Sequence, residues 1–454
     1  MVEAAKTRLF LLWILPFTLA AVMALSLLPS VRQFVGLDER PPVDNLRKML
    51  DVRDRIREMY IEPVDDDRVF NGAFNGMVGA LDRECQYFSA SELEDFEVDI
   101  RGEFGGLGMV LTKEDAFIKV VTPIEGTPAF EAGILAEDEI LEIDGRSTEK
   151  MSVTEAMRLI RGEPGTEVVL VIRHPGEGPR RITMQRALIK LKTVKGVRFV
   201  DEELKIAYLR ITSFQEDMVK SFDESVKSLL AQGMKALIVD VRFNGGGLLN
   251  EATKLCDRFL SGGLIVEVKG RAKGVSKRHE ATSGGTLPGF PLAVLVNGGS
   301  ASASEIFAGA MKDRGRGIVV GQKTYGKGSV QQTFTFAEDR SGVKLTIARY
   351  FTPSGRRIDR PSRPAFEFDE DEAAPDSQDS GEWGIEPDFV VPMTRKGMQE
   401  LQKAWSDEEI IRAPGTDDGS KPPEVNDSDE KKSADPQLDK AAEELRNLLQ
   451  KEPK

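Results

Sequence analysis

The feature that most constrains the fold of this chain is an alternation of apolar strand-like runs and amphipathic helical patterns between residues 197 and 395. Four of the apolar runs are KIAYLRIT, KALIVDV, PLAVLVN and GIVVGQK, and helical patterns lie between them. Alternation of this kind is typical of βα units, which pack as a layered α/β core around a largely parallel sheet. Within this core, the acidic stretch 366–382 is predicted to be a solvated loop because it carries many charges and few apolar residues.

Three further segments surround this core, so the predicted architecture is α/β and multidomain. Between residues 43 and 96, apolar residues recur along one side of the pattern NLRKMLDVRDRIREMYIE, which predicts a helical N-terminal arm. Between residues 102 and 188, short strand-like runs alternate with two helical stretches, which predicts a small domain of one sheet and two helices. Residues 413–454 are polar and are predicted to be largely disordered, apart from a short helix in LDKAAEELRNLLQ.

Residues 1–30 are predicted to be a signal-anchor helix. Lys6 and Arg8 precede an uncharged apolar stretch from Leu9 to Pro29, which is long enough to span a membrane. Basic residues before such a stretch direct the rest of the chain across the membrane. The segment ALS is a poor match to the small-residue cleavage site of a signal peptide, which favours an uncleaved anchor.

Composition excludes two classes of site. The net charge of −13 and the absence of a basic stripe argue against a nucleic-acid partner, because phosphate binding needs a concentrated basic face. The two cysteines, Cys85 and Cys256, are not in a metal-ligand spacing, so we expect no metal site and no cofactor. Each cysteine is expected to be a buried free thiol.

A cluster of three serines marks the candidate catalytic site. The segment VNGGSASASEIFAGA places Ser300, Ser302 and Ser304 after an apolar run and a glycine pair, just before a helical pattern. A serine at such a strand-to-helix turn is exposed, and the free N–H groups at the start of the helix can stabilise an oxyanion. On the local pattern alone, simple helix capping is the favoured explanation of the same serines.

A nucleophilic serine needs a base, and histidine is scarce in this chain. His174 and His279 are the only two, and both are expected to lie on the surface. Lysine is the alternative base, provided that burial or a nearby positive charge lowers its pKa from about 10.4. Lys327, which lies between two glycines in TYGKGSV, fits this need better than Lys323, which lies in an ordinary turn.

The segment SASASEIFAGAMKDRGRGIVVGQKTYGKGSVQQ closely resembles the carboxyl-terminal processing (tail-specific) proteases of the S41 serine peptidase family. The resemblance implies a ClpP/crotonase-like layered core, with Ser302 as nucleophile, Lys327 as base and Gln331 as the residue that orients the lysine. It covers residues 43–392. The sequence departs from the family pattern in one segment. The family often has Pro-His-Ser after LD, whereas this chain has LDRECQYF, and the difference removes no catalytic residue.

The same resemblance implies an oxyanion hole made of two backbone amides. One is the N–H of Ala303, directly after the serine. The other is the N–H of a glycine in the turn of VRFNGGGLLNEA. Of the three glycines there, we assign this role to Gly246. A turn that needs positive φ is the other explanation of these glycines.

The segment GTPAFEAGILAEDEILEIDG, from Gly126 to Gly145, resembles a PDZ domain of the type inserted in this family. Such a domain binds an extended C-terminal peptide as an added strand and holds its carboxylate with loop amides. Leu159 fits two positions equally well, in the core of the domain or in the pocket for the last peptide residue. The resemblance assigns peptide binding to Gly105, Gly106, Leu107, Gly108 and Met109.

These expectations combine into one function and one alternative. The expected function is a serine endopeptidase that recognises protein C-termini with exposed, apolar tails, is anchored in the inner membrane by a single span, and works in the periplasm or outside the cell. The N-terminal arm and the C-terminal helix are candidate elements of a homo-oligomer. The alternative is a silent or latent PDZ scaffold that binds C-termini at the membrane, and a hydrolase that uses His279 ranks third.

Overall fold

The computed structural model describes residues 43–113, 116–360, 383–410 and 435–451. The predicted anchor at residues 1–30, the acidic loop at 366–382 and the first part of the predicted tail lie outside the described residues. Within the described ranges, none of the helices combines the length and the apolar character needed to cross a membrane.

The N-terminal part of the described chain is helical, as the apolar periodicity predicts. The third helix begins after Ser89, whose backbone N–H and hydroxyl both donate to the Glu92 carboxylate. It ends at Gly102, where a φ of 71° turns the chain into the next domain. The elements are α1 (Val43–Met59), α2 (Asp66–Gly79), the strand β1 (Gln86–Phe88) and α3 (Ala90–Arg101).

The next domain is a small antiparallel sheet with two helices, as predicted. Its strands lie in the order β3-β4-β5-β7-β8, with β6 beside β5, while β2 and β9 form a separate pair. The helix α5 begins at Ser152, whose hydroxyl accepts the N–H of Glu155, and it buries Ala156 and Ile160 against the sheet. The elements are β2 (Glu103–Gly106), β3 (Met109–Thr112), β4 (Ile118–Pro123), α4 (Pro128–Glu131), β5 (Glu139–Ile143), β6 (Arg146–Ser147), α5 (Val153–Ile160), β7 (Glu167–Arg173), β8 (Arg180–Gln185) and β9 (Ala187–Lys190).

The remaining elements form the α/β core. They are β10 (Val194–Asp201), β11 (Ile206–Ile211), α6 (Met218–Ala231), β12 (Ala236–Asp240), α7 (Leu249–Phe259), β13 (Gly263–Gly270), β14 (Lys277–Ala281), β15 (Leu292–Val296), α8 (Ala303–Asp313), β16 (Ile318–Gly321), β17 (Ser329–Thr335), β18 (Gly342–Phe351), β19 (Phe389–Val390), α9 (Arg395–Glu409) and α10 (Pro436–Lys451).

The main sheet of the core has the order β10-β11-β12-β15-β16-β19. Strands β11, β12, β15, β16 and β19 are parallel, and β10 joins them antiparallel at one edge. Every residue of β11, β12 and β15 is buried, because both faces of the sheet are covered. The layered, largely parallel core predicted from the alternation is confirmed.

A second sheet in the core is antiparallel. Its order is β1-β18-β13-β14, and β17 also pairs with β18. The strand β18 is therefore the element that connects the N-terminal segment, through β1, with the strand that follows the predicted base, β17.

The two faces of the main sheet are covered by different helices. One set of alternating side chains, including Leu209, Val239 and Val294, packs with α6, α7 and α8. The other set, including Ile238 and Leu295, packs with Ala441, Ala442 and Leu445 of α10. The short helix predicted in the tail therefore exists, and it packs on one face of the sheet, a position that its sequence did not predict.

Truncating Leu445 in α10 should destabilise the entire core. Leu445 is fully buried, so we expect Leu445→Ala to lower the free energy of unfolding by about 3 kcal/mol. Urea unfolding followed by circular dichroism measures this change. Leu448→Ala, on the same helix but 38% exposed, should cost less than about 1 kcal/mol. Equal effects of the two variants would mean that α10 does not dock as described.

Both cysteines are buried free thiols, as predicted. Cys256 is completely enclosed in α7, and this burial raises the pKa of its thiol. Cys85 precedes β1, and its Sγ accepts the N–H of Thr346 from β18 at 3.3 Å.

Candidate active site

Ser302 is the only accessible member of the serine cluster. Ser300 and Ser304 are buried, and their hydroxyls donate to the carbonyl oxygens of Val241 and Asn244, each at 2.8 Å. These two serines fasten the turn before α8 to the glycine turn after β12. Ser302 is half-buried and directly precedes α8, so it is left free to react.

The backbone of Ser302 is strained. Its φ is 55° and its ψ is −112°, a combination that a residue with a side chain rarely adopts. Such strain persists only where the surroundings enforce it, and it is concentrated at functional sites. Here the turn from Asn297 enforces it, since the Asn297 side-chain oxygen accepts the N–H groups of Phe243 and Gly299. The turn thus presents Ser302 at the start of α8.

A buried carboxylate joins the nucleophile to the loop that carries the predicted base. Glu305, in the first turn of α8, is fully enclosed. It accepts the N–H of Ser302 at 2.8 Å, of Gly326 at 2.7 Å and of Lys327 at 2.8 Å, and the hydroxyl of Thr324 at 2.5 Å. Burial raises the pKa of Glu305, and the four donors act in the opposite direction.

Tyr350 of β18 makes a second connection between the same two segments. Its hydroxyl lies 3.1 Å from the carbonyl oxygen of Ser302 and also contacts the carbonyl oxygen of Lys327. The side chain is completely buried, which raises the pKa of the phenol well above its usual value. Glu305 and Tyr350 together hold the backbones of the nucleophile and of the base at fixed positions.

The side chain of Lys327 is turned to a different partner. Its Nζ lies 2.5 Å from Oε2 of Glu84, in the turn before β1, and both side chains are about a quarter exposed. In the described part of the chain, this ammonium makes no hydrogen bond to Ser302. The backbone therefore brings the two predicted dyad residues together, while the side chain of the lysine is engaged elsewhere.

Gln331 contacts partners other than Lys327 in the described conformation. Its amide nitrogen donates to the hydroxyls of Ser329 at 2.8 Å and Thr346 at 3.2 Å, not to Lys327. The register of β17 against β18 shifts between Val330 and Gln331, and this irregularity directs the glutamine along the strand pair. The amide nitrogen of Gln331 is engaged by these two hydroxyls in this conformation, and its role in orienting Lys327 stays a prediction.

The glycine turn after β12 packs directly on the nucleophile. Gly246 has a φ of 106°, and a Cβ built on it would lie 2.8 Å from the Cβ of Ser302 and 3.0 Å from the nitrogen of Ala303. Only glycine fits there. The N–H of Gly246, however, donates to the side-chain oxygen of Asn244 at 2.9 Å. The predicted oxyanion amide is thus in place next to Ala303, but it is occupied in this conformation.

The predicted peptide-binding loop precedes an open sheet edge. β3 pairs with β4 on one side and forms the end of its sheet, so its other side can accept a strand. Gly105 and Gly106 belong to β2, and Gly108 has a φ of 78°. Met109 and Leu159 are half-buried at the core of this domain.

The side chain of Leu107, one of the residues that the resemblance assigns to peptide binding, does not face solvent in the described conformation. Its side chain is fully buried in the core of the small domain, and its carbonyl oxygen accepts the N–H of Ala129 in α4. The positive φ of Gly108 reverses the chain here and turns Leu107 inwards.

Neither histidine contacts the site. Nδ1 of His174 lies 2.6 Å from the buried carboxylate of Asp138, in the small domain. His279 lies in β14, the last strand of the antiparallel sheet, where burial and Lys277 lower the pKa of its imidazole.

Sequence reasoning missed three residues of the site: Glu84, Glu305 and Tyr350. The spacing of Ser302 and Glu305 is that of a helix capping box, which was a usable signal. Glu84 and Tyr350 reach the site from distant segments, and no local pattern marks them.

Comparisons with known proteins identify the family of this chain. The family model described as Peptidase family S41 matches residues 205–368, and a PDZ domain model matches residues 119–174. A carboxy-terminal-processing protease of Bartonella bacilliformis is 37% identical over 347 residues, which cover 75% of this chain and 79% of that protein. The carboxy-terminal processing protease CtpA of Bacillus subtilis is 35% identical over 309 residues, which cover 67% of this chain and 65% of that protein.

Among solved structures, the photosystem II D1 C-terminal processing protease is 27% identical, with a TM-score of 0.41. The match covers 75% of this chain and 86% of that chain.

Proposed function

Since this chain belongs to peptidase family S41 and carries a PDZ domain, we propose that it is an extracytoplasmic endopeptidase that cleaves with a Ser302–Lys327 dyad. That it is a serine protease of the carboxy-terminal processing type follows from the family itself. The assignment of the dyad rests on one observation. The N–H groups of Ser302 and Lys327 both donate to the same oxygen, Oε2 of Glu305, so the backbones of the two residues are held side by side at one buried carboxylate.

The proposed chemistry needs four groups of this chain. Neutral Lys327 takes the proton of the Ser302 hydroxyl, and the serine oxygen attacks the scissile carbonyl. The lysine then gives this proton to the leaving amine as the peptide C–N bond breaks, which leaves an acyl-enzyme and a neutral lysine. The amides of Ala303 and Gly246 stabilise the oxyanion. Lys327 then activates the water that hydrolyses the ester. These steps use no metal and no cofactor.

Two rearrangements must precede this chemistry. Lys327 has to leave Glu84, and the N–H of Gly246 has to leave the side chain of Asn244. This supports a protease that is latent in the described conformation and becomes active when the two contacts are exchanged. A silent scaffold has no use for the strained geometry of Ser302.

Substrate selection is proposed to take place at the open edge of β3. A peptide C-terminus would add there as a strand, with its carboxylate at the loop from Gly105 to Gly108. The apolar stretch from Leu9 to Pro29, preceded by Lys6 and Arg8, supports an anchor in the inner membrane with the catalytic part in the periplasm or outside the cell. Oligomerisation through the N-terminal arm and α10 remains a prediction from the sequence.

Cleavage should depend on a free substrate C-terminus. We expect the full-length protein in detergent to cleave an unstructured protein with an apolar tail, and amidation of that tail to lower kcat/KM about 10-fold. The reason is that hydrogen bonds to a charged carboxylate contribute about 1.5–3 kcal/mol. Product formation followed by mass spectrometry measures both rates. Equal cleavage of the free and amidated substrates would refute recognition of the terminus, and binding without cleavage would favour the scaffold.

A further inference from the structure

Glu84 occupies a fixed position. It lies in the turn before β1, where the Asp82 side chain accepts the N–H of Glu84 and of Cys85, each at 2.9 Å. The turn is then fastened to β18, because Cys85 Sγ accepts the N–H of Thr346 and Gln86 pairs with Lys344. The carboxylate that meets Lys327 is therefore carried by a built turn and not by a free surface chain.

The contact is an ion pair, in which Nζ of the lysine lies 2.5 Å from Oε2 of Glu84 and carries its proton. An ammonium cannot accept the proton of a serine, so the lysine in this contact is both misdirected and in the wrong protonation state for a base.

Other charged groups also face the pair. Burial lowers the pKa of Lys344 in β18, and the charge of Lys327 lowers it further, while Glu84, Cys85 and Asp82 act to raise it. Lys344 thus repels the Lys327 ammonium, and Glu84 is the group that offsets this repulsion.

The remaining charged neighbours are already engaged. Glu305 is committed to the backbone N–H of Lys327 and to its other donors. Asp359, which lies against Gly328, is paired with Arg349 and Arg357. The balance of charge at the Lys327 ammonium is therefore set mainly by Glu84 and Lys344.

We propose that Glu84 is a positioning residue of this protease: it holds Lys327 charged and away from Ser302, and release of this ion pair supplies the base. The proposal rests on the proposed function, since it requires Lys327 to be the base. It assigns a purpose to the segment LDRECQYF, which otherwise contributes no residue to the chemistry.

Removal of the Glu84 carboxylate should therefore activate the enzyme near neutral pH. Without Glu84, the Lys327 side chain loses its ion-pair partner and is free to turn to Ser302. We expect Glu84→Gln to raise kcat/KM about 3- to 10-fold at pH 7 and to move the rising limb of the rate–pH profile to lower pH, because removing a neighbouring negative charge disfavours the ammonium form of an amine.

The experiment is a pH profile of kcat/KM between pH 6 and 9, with the full-length protein and an unstructured substrate. Glu84→Asp keeps the charge on a shorter side chain and should shift the profile less than Glu84→Gln. Glu94→Gln, an exposed residue of α3 with the same change of charge, should leave the profile unchanged. A profile of Glu84→Gln that stays in place, or that moves to higher pH, would overturn the proposal.

A second readout does not depend on activity. Competitive labelling of lysine amines with acetic anhydride, read by mass spectrometry in the Ser302→Ala protein, reports the pH at which Lys327 loses its proton. This pH should fall when Glu84→Gln is added, whereas a purely structural role of Glu84 would leave it unchanged.

The failure of this proposal can be told apart from the failure of the dyad. Lys327→Ala should abolish cleavage both in the parent and together with Glu84→Gln. Cleavage that survives Lys327→Ala would refute the dyad, whatever Glu84 does. An inactive Lys327→Ala protein combined with a parental pH profile of Glu84→Gln would refute the role of Glu84 alone.

Discussion

Ser302→Ala and Lys327→Ala are expected to abolish peptide cleavage while leaving the fold intact. Loss of the nucleophile removes the covalent route entirely, a change that costs about 10⁶-fold in kcat in a serine protease. Loss of the base should cost about 10²–10⁴-fold, the usual contribution of general base catalysis. The measurement is kcat/KM on an unstructured protein with an apolar tail, with circular dichroism to confirm the fold.

The matched control for Lys327 is Lys323 in the same loop. Its Nζ lies 4.0 Å from the ring centre of Trp383, so it is held away from the nucleophile, and Lys323→Ala should keep nearly all activity. The double variant of Ser302 and Lys327 should be no less active than Ser302→Ala, because the two residues act as one unit. If Lys327→Ala keeps its activity and Lys323→Ala or His279→Ala loses it, the base has been misassigned.

The local parts of the site could be predicted from the sequence. An apolar strand, a glycine turn and a serine before an amphipathic helix define the position of Ser302 within a few residues. The alternation of strands and helices was sufficient for the layered core, because a parallel sheet covered on both faces needs continuous apolar strands. The distance in sequence from Ser302 to Lys327 is short, and the loop between them follows a single strand, β16.

The side-chain partners could not be predicted in the same way. Glu84 meets Lys327 only because β1 pairs with β18 and β18 pairs with β17. That contact depends on the register of three strands, which local patterns do not determine. Gln331 shows the same limit, since a single register shift before it directs its amide to Thr346.

The C-terminal helix shows a related limit. In sequence, α10 is a short amphipathic helix in a polar tail, and its apolar residues are too few to indicate burial. They become buried because the outer face of the main sheet, with Ile238 and Leu295, offers a matching apolar surface. Only the assembled sheet reveals that surface, so the sequence predicts the helix but not its place in the core.

Glu305→Gln is expected to reduce kcat about 10- to 10³-fold with little change in KM. All four groups that Glu305 contacts are donors, namely three backbone N–H groups and the Thr324 hydroxyl. Each carboxylate oxygen accepts two of these donors, so a glutamine of the same shape, with an NH₂ group in place of one oxygen, sets a donor against two donors and leaves them unpaired. The backbones of Ser302 and Lys327 would then separate, and a small displacement of reacting groups costs about 10²-fold in rate.

The test must separate lost positioning from lost stability. An unsatisfied buried donor costs about 1–3 kcal/mol, so Glu305→Gln should also unfold at lower urea concentration. Leu445→Ala provides the comparison, because we expect a stability loss of about 3 kcal/mol from a residue of α10 that contacts the opposite face of the sheet. If Leu445→Ala keeps the parental kcat below its unfolding transition and Glu305→Gln does not, Glu305 acts by aligning the dyad. If both variants lose kcat in proportion to their stability, Glu305 is a structural residue. Ser302 and Lys327 are then aligned by other contacts, such as those of the Tyr350 hydroxyl with their carbonyl oxygens.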